Sequence, residues 1–568
     1  MLISDLRKEF YDVVLHKHVL VMVAFDVDAL CACKILLSLF QCDSVHYTLV
    51  PVSGQQDLER VFLEHSEQIK HVVLINCGAN ISLLDVLQPE EDVTFFVCDS
   101  HRPIDLVNVY NDTQIKLLLT DSEELTIPAY EDVFNDEESD SDDSDNESVT
   151  SQPDKRRRLD EESIVRKLER KRTRRLWEEN RQKVVFQYEE FSFYSTSAAY
   201  VIYQLAWKLS KDSNDLLWWS IIGLTDQLLS KKVDRDKYFL DASDLNRHVS
   251  RHNHLGQEDD AAVQSVNAMK ITFNPELQLA LYRHWSLFDS ICHSSYTACN
   301  LRLWTVRGFK KLHEFLADMG MPLTQCKQKF TAMDITYRET FCDSLQTSGK
   351  KYGLDQITVP SFYAQFGYKN KFCAFDAVHA TSALLESIEK DKNGEENFLE
   401  ALDALSRVHL DKLQHGLELS KRQHKAIVSQ IQTLLDMNHV VSAGPFLYAY
   451  IQEGTPDVRF FSKANCLALL ARFTLEAFVK MSKSKKVKNL PLVMVAPLDT
   501  EQGTSLVVGV PPLMELENSP RSLFGRAFEQ TAEKTGSRVL HDSFDPSIFA
   551  LKTEDRSKFF DALVSLLS

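Results

Sequence analysis

Two carboxylates two residues apart, Asp26 and Asp28, follow directly on seven unbroken apolar residues, Val19–Phe25. The pattern recurs downstream. Asn76-Cys77-Gly78 closes the run HVVLIN, Asp99-Ser100-His101 closes VTFFVCD, and Asp226 sits in GLTDQ. Carboxylates and an imidazole converging at strand ends suit Mn²⁺ or Mg²⁺, which activate water against a phosphodiester. Other chemistries lack their parts. No GxxxxGK[ST] loop is present to cradle a nucleotide phosphate, and no GxSxG turn presents a serine nucleophile. Cys31 and Cys33 lie in an apolar run without a second pair, which reads as core rather than zinc. His248, His252 and His254 are interleaved with Arg247 and Arg251, which reads as a solvated charged face.

These residues need strands to carry them. A run of seven apolar residues is the signature of a strand buried on both faces, as in parallel sheets. If Asp26 and Asp28 continue that strand, extended geometry points both to one side. Helical periodicity is read over Ile3–Leu15, Ala29–Gln41 and Leu58–His65, and strands over Val19–Phe25, Val45–Pro51, His71–Asn76 and Val93–Asp99. That alternation predicts an α/β domain with a parallel sheet, whose ligand sites lie at the carboxyl ends of the strands. Residues 195–230 and 235–408 read as mostly helical, and Leu410–Met437 as one long helix. After Val440 strands return (PFLYAYI, LPLVMVAPL, SLVVGVPP), alternating with helices at Asn465–Lys480 and Gly525–Thr535 and a closing helix.

The chain has 568 residues, 44% of them hydrophobic, enough for several folded cores. No apolar run reaches the ~18 residues of a membrane span, and MLISDLRKEFYD does not read as a secretion signal. The eleven Cys are scattered, as expected of reduced thiols inside a cell. A net charge of −18 excludes nucleic-acid binding by overall field and leaves only local basic patches. Charge is also segregated. Residues 131–148 hold ten acidic and no basic side chains, while 155–183 hold thirteen basic and six acidic. Such blocks repel and stay solvated. Residues 131–163 are expected as an inserted loop and 164–183 as a charged helix. Lys155, Arg156, Arg157 and Arg158 form a basic cluster of nuclear-import type, and Ser139 and Ser144 precede acidic residues as acidophilic kinases prefer.

In order, Asp26-Val27-Asp28, Asn76-Cys77-Gly78, Asp99-Ser100-His101 and Asp226 resemble the four motifs of DHH phosphoesterases such as the RecJ exonuclease. The departures are informative. Leu30 and Cys31 stand where the first motif continues to Asp and Gly, Asn76 where the second has Asp, and Ser100 where the triplet has its first His. An amide and a hydroxyl are weak metal ligands. The resemblance therefore implies a site that has lost its metal, with no cofactor. Asp26, Asp28, Asp99 and Asp226 would be vestigial, solvated at the strand tips or hydrogen-bonded to backbone N–H groups and nearby Arg, Arg102 being a candidate partner for one of them, so that an uncharged network stands where metal charge stood.

DALCACKIL, NCGAN, CDSHRP, VNVYNDTQIKLL, HWSLFDS, EFLADMG, EGTPDV and FGRAFE resemble the vertebrate form of the cell division control protein 45 family over essentially the whole chain. That resemblance implies a nuclear replication-initiation and elongation factor that joins the MCM ring and the GINS complex to form the replicative helicase. It also implies contacts with single-stranded DNA and other replication-fork proteins, and none with membrane. The implied domains are a DHH-like α/β domain (1–130 plus 185–230), a charged insertion (131–184), a helical partner-docking region (231–408), a connecting helix (409–437) and a DHHA1-like α/β domain (438–568). In superfamily nucleases the last domain grips substrate through Gly-Gly-His. The nearest segment here is Phe524-Gly525-Arg526-Ala527, without the His but with Arg526 for a phosphate. Lys485, Lys486 and Lys488, with Lys480 and Lys483, form a basic loop for DNA, and Lys369 and Lys371 a second pair. Trp285, Trp304, Phe309, Phe315 and Leu316 exceed what a thin helical layer needs and point to a partner surface. The alternative readings are an active manganese-dependent single-strand exonuclease or phosphoesterase, and a nuclear adaptor that does not touch DNA.

Overall fold

The apolar run Val19–Phe25 forms the strand His18–Ala24, buried from Val19 onward. The computed structural model describes residues 2–119, 126–134, 161–258, 269–366, 370–389, 392–514, 520–540 and 543–568. The import cluster Lys155–Arg158, Ser139, Ser144 and Lys369 lie outside them. Met1–Asp121 with Ser192–Ser568 makes one compact unit, and Ser122–Phe191 a second.

In the first unit, six strands form an all-parallel sheet. From edge to edge they are Leu2–Ile3, Ile115–Leu118, Thr94–Cys98, His71–Ile75, His18–Ala24 and His46–Val52. The chain leaves His18–Ala24 for the edge strand His46–Val52, then crosses back to His71–Ile75 on the other side. The reversal opens a crevice at the carboxyl ends of His18–Ala24 and His71–Ile75, where doubly wound sheets hold ligands. Alternate residues face opposite layers: Phe95 meets Phe62 at 5.6 Å between ring centroids, and Phe96 meets Phe10 at 5.0 Å. Helices Val27–Cys42, Ala198–Lys208 and Asn214–Leu229 pack on one another.

The expected helix Ile3–Leu15 is shorter, with helical turns at Leu6–Tyr11 and Asp12–Val14. Residues 235–408 are not simply helical. Lys270–Leu277, Thr358–Phe366 and Asn370–Cys373 form an antiparallel sheet. Pro360 breaks the donor pattern of TVPSFYAQF, which masks it as a strand in sequence. The long helix is Leu410–Asp436. After it comes a six-stranded mixed sheet, ordered Val440–Ser442, Leu447–Tyr450, Leu492–Asp499, Thr504–Val510, Ile548–Lys552 and Val539–Leu540. Ala464–Met481, Phe524–Thr535 and Arg556–Leu567 are its helices.

The second unit is the 29-residue helix Glu161–Glu189 with the turn Tyr130–Val133. Trp177 donates Nε1–H to the Glu131 carbonyl at 2.9 Å, and Arg181 donates Nε–H to that of Val133 at 2.7 Å. Among the described residues no helix is long and apolar enough to cross a membrane.

Candidate functional site

Asp26 does not extend its strand. It is the N-cap of helix Val27–Cys42, its Oδ1 accepting from the Ala29 N–H at 2.7 Å. Asp28 lies inside the first turn of that helix. The two carboxylates are neighbours through a helix start, not through the alternation of an extended strand. Asp28 is fully buried, and three donors hold it: the Ser197 hydroxyl, Ala198 N–H (2.8 Å) and Ala199 N–H (3.0 Å). These form the N-terminus of helix Ala198–Lys208, which favours an anion. Helix Asn214–Leu229 passes close by at Gly223, where a Cβ would meet Ala199 Cβ at 2.6 Å and Asp28 Oδ1 at 2.7 Å. Burial first, and then the Asp26 charge, push the Asp28 carboxyl up to about 6.

Asn76 fills the space between the carboxylates. It follows the strand His71–Ile75 with φ +51°, a left-handed conformation that Asn tolerates. Its Nδ2 donates to Asp26 Oδ1 and Oδ2 (3.3 and 3.2 Å) and to Asp28 Oδ2 (3.3 Å). Its Oδ1 accepts from the Ser100 N–H (3.0 Å) and the Ser100 hydroxyl (3.2 Å). The two departures from the DHH motifs are thus one feature: Ser100 orients the amide so that its hydrogens face the carboxylates. A divalent ion held by Asp26 and Asp28 would have to displace that amide.

Asp99 is committed as well. Its Oδ2 accepts from Ala79 N–H at 2.9 Å, and its Oδ1 from His101 N–H (2.9 Å) and Nδ1 (2.7 Å). Burial opposes charge on both partners. The pair nevertheless holds the Asp99 carboxyl below its ordinary value and the His101 imidazole above its own. Arg102 directs Nη1 to the carbonyl oxygens of Asp99 (2.8 Å) and His101 (2.7 Å).

The cation among the strand-tip carboxylates is Lys232, which the sequence does not single out. Its Nζ lies 3.6 Å from Asp226 Oδ2 and 5.0 Å from the centroid of the Tyr194 ring. Burial disfavours its charge, but Asp226, Asp26, Asp28 and Asp545 together raise it above the ordinary lysine value. The network is therefore charged and mostly buried, contrary to the expectation of solvated relics or an uncharged network. An ammonium and an amide stand among the carboxylates, and among the described residues no group of three or more His, Cys, Asp or Glu is arranged for a metal ion. The donor set does not fit a two-metal centre.

Beside it lies a cavity of about 60 Å³, lined by His101, Tyr194, Lys232, Arg472, Arg521 and Asp545 among others. Tyr194 donates its hydroxyl to Asp545 Oδ2 at 2.8 Å, and Asn80 Nδ2 donates to the Phe544 carbonyl at 2.7 Å. Residues of the C-terminal sheet domain are thus tied onto the strand tips. Arg526 does not line this cavity; it pairs with Glu529 at 3.0 Å on helix Phe524–Thr535. Lys485, Lys486 and Lys488 lie on the turn Lys485–Asn489, before the strand Leu492–Asp499. Lys486 and Lys488 are exposed. His248 packs edge-on against Tyr203 and Trp207, and His252 Nε2 lies 2.9 Å from Asp212. That helix face is half-buried, not solvated.

A family model described as CDC45 matches residues 19–149 and 129–566. The human cell division control protein 45 homolog is 55% identical over the full length of both chains. The chain belongs to the cell division control protein 45 family. The homolog of this family from Schizosaccharomyces pombe is 31% identical over 95% of this chain and 94% of its own. The crystal structure of CDC45 from Entamoeba histolytica superposes with a TM-score of 0.70 and 25% identity, each chain fully covered. The mixed α/β architecture with its parallel sheet is that of the family.

Proposed function

We propose that this chain is a non-catalytic scaffold of the eukaryotic replicative helicase, acting in the nucleus to join the MCM ring to the GINS complex. Family membership supports a DNA replication factor with partners at the fork. The DHH-like domain (1–130 plus 185–230), the partner-docking region (231–408) and the DHHA1-like domain (438–568) are the parts assigned to that role, with 409–437 connecting them and 131–184 carrying the import cluster.

One observation carries the non-catalytic half: Asn76 Nδ2 lies 3.2–3.3 Å from oxygens of Asp26 and Asp28. A metal-activated water needs open coordination positions and several anionic ligands. Here the carboxylates are engaged by an amide, backbone N–H groups, a histidine and a lysine. The test is purified protein with Mn²⁺ on 5′-labelled single-stranded DNA. The scaffold reading expects the label to be retained. Processive loss of label, abolished by both Asp26→Ala and Asp99→Ala, would establish the exonuclease instead.

Single-stranded DNA is assigned to the lysine turn. Leu492, three residues after it, pairs with the cavity-lining Val510, so the turn lies at the cavity end of the C-terminal sheet. Such binding is weak and steeply salt-dependent. Reversing the charges of Lys485 and Lys486 lowers single-strand affinity at low salt; an unchanged isotherm favours the adaptor that does not touch DNA.

A further inference from the structure

Far along the chain from the strand-tip motifs, a second recess opens between helices Leu287–His293, Val306–Asp318, Leu410–Asp436 and Ala464–Met481. Its volume is about 300 Å³, and its walls include Phe288, Leu303, Trp304, Phe309, Ile431 and Phe473. Leu312, Phe315 and Leu316 turn the buried face of Val306–Asp318 into the core, which leaves Phe309 on the rim, 41% exposed. Trp304 and Phe288 pack partly against that same core.

Two donors line this recess without a protein acceptor among the described residues. The Trp304 Nε1–H is shut away from solvent and has no hydrogen-bond partner among the described residues. A buried donor left unpaired is costly, and because Trp304 lines an apolar recess it would be satisfied by an acceptor that a ligand carries in once the indole turns toward the opening. Lys425 lines the recess and lies over the Trp285 ring at 5.4 Å; no ion pair among the described residues includes it. The surroundings are basic. Arg302, Arg307, Lys310, Lys311 and Lys327 are exposed on the neighbouring segments, against Glu314, Asp318 and Asp289. On a chain of net charge −18 this is a reversal of sign, and it selects an anionic partner.

We propose that the recess is a docking site for an acidic amphipathic segment of a partner protein. A large apolar side chain fills the pocket, and a flanking carboxylate accepts from Trp304 Nε1–H and pairs with Lys425. The aliphatic floor of Leu303, Val428 and Ile431 fits such a side chain better than a nucleobase, which needs an open aromatic platform. The proposal rests on the scaffold reading, which supplies the partner, and makes its chemistry specific.

The test uses the full chain and a fluorescent synthetic helix with Leu and Phe at i, i+3, i+4 and i+7 and Glu between them. Its Glu→Lys counterpart and an oligothymidylate strand serve as competitors. Saturable binding of the acidic helix is expected, weakened about tenfold by Lys425→Glu. Trp304→Phe keeps an aromatic ring but loses the pyrrole half of the indole with its N–H, and costs about tenfold or more, as for a hydrogen bond to a charged group. Phe309→Ala weakens binding without unfolding the chain. No binding at about 1 mM peptide overturns the proposal. So does equal binding of the basic helix, displacement by oligothymidylate, or indifference to both Lys425→Glu and Trp304→Phe. The wild-type chain is assayed in parallel with purified MCM and GINS. Failure to assemble while the acidic helix binds would sink the scaffold reading and leave the docking site. Assembly without peptide binding would do the reverse.

Discussion

The strand-tip site and the helical recess are both polar groups set in apolar surroundings, and they differ in where their hydrogen bonds go. At the strand tips Asp26, Asp28, Asp99 and Asp226 are satisfied from inside the chain, by Asn76, Ser197, backbone N–H groups, His101 and Lys232. At the recess the Trp304 N–H has no acceptor among the described residues, and the exposed Lys425 lies over a ring with no ion pair among them. A site closed on itself contributes to folding, whereas one with open valences is available to a partner. The contrast separates two kinds of mutational effect.

The largest effect belongs to Lys232. Replacing it with Met leaves the buried Asp226 and Asp28, and the half-buried Asp26, without that cation, and breaking a buried pair from one side costs roughly 3–5 kcal/mol. Urea unfolding near neutral pH should show that loss. It should shrink in acid, where the Asp28 and Asp226 carboxyls, both raised by burial, take up protons. Lys232→Met combined with Asp226→Asn should recover much of it. An unchanged midpoint for Lys232→Met would mean that the ammonium compensates nothing.

Next is Asn76→Asp, which replaces a donor with a third carboxylate facing Asp26 and Asp28. A loss of about 2–3 kcal/mol is expected at neutral pH. The new carboxyl is raised by its neighbours, so the cost is absent below its unfolded value, grows with pH between the unfolded and folded values and is complete above the folded one.

The Asp99–His101 pair gives a smaller, opposite test of pH. Because the folded-state value of His101 is raised, its contribution is complete below about 6.5 and disappears as pH rises through the folded value. Asp99 is lowered, so the pair persists on the acid side until that carboxyl protonates. Urea midpoints measured from neutral to alkaline pH should fall by the equivalent of about 1 kcal/mol, and His101→Gln should flatten that slope.

The smallest stability effects are expected at the recess. Lys425→Glu should change the midpoint by no more than about 0.5 kcal/mol, as exposed substitutions do, while altering partner binding. If Lys425→Glu unfolds the chain while Lys232→Met does not, the contrast between the two regions is reversed.

How much of this was legible in sequence follows from how local each signal is. The run Val19–Phe25 announces its strand, because burial on both faces leaves no polar break. The motif residues Asp26, Asn76, Asp99 and Asp226 announce their convergence through a resemblance, not through periodicity. The placement of Asp28 on a helix was not legible: a D-x-D after a strand reads equally as strand end or helix start, and the Asp26–Ala29 cap decides it. Lys232 was not legible either. Two lysines after a helix read as a solvated end, and only a turn with Lys231 at φ +53° folds the second one back among acids. Tyr194 and Asp545 meet across 351 residues of sequence, beyond any local pattern. In the middle region Trp304 and Phe309 were read as surplus aromatics, but that they flank one recess while Phe315 and Leu316 are core depends on the packing of four helices.

The account stands on an amide and an ammonium among the strand-tip carboxylates in place of a divalent ion. The most direct measurement is Mn²⁺ binding to the full chain, followed by electron paramagnetic resonance of the free ion. The wild-type chain should leave the free Mn²⁺ signal at its buffer intensity at micromolar concentrations. Stoichiometric loss of that signal, restored by Asp26→Ala and by Asp99→Ala, would contradict the account.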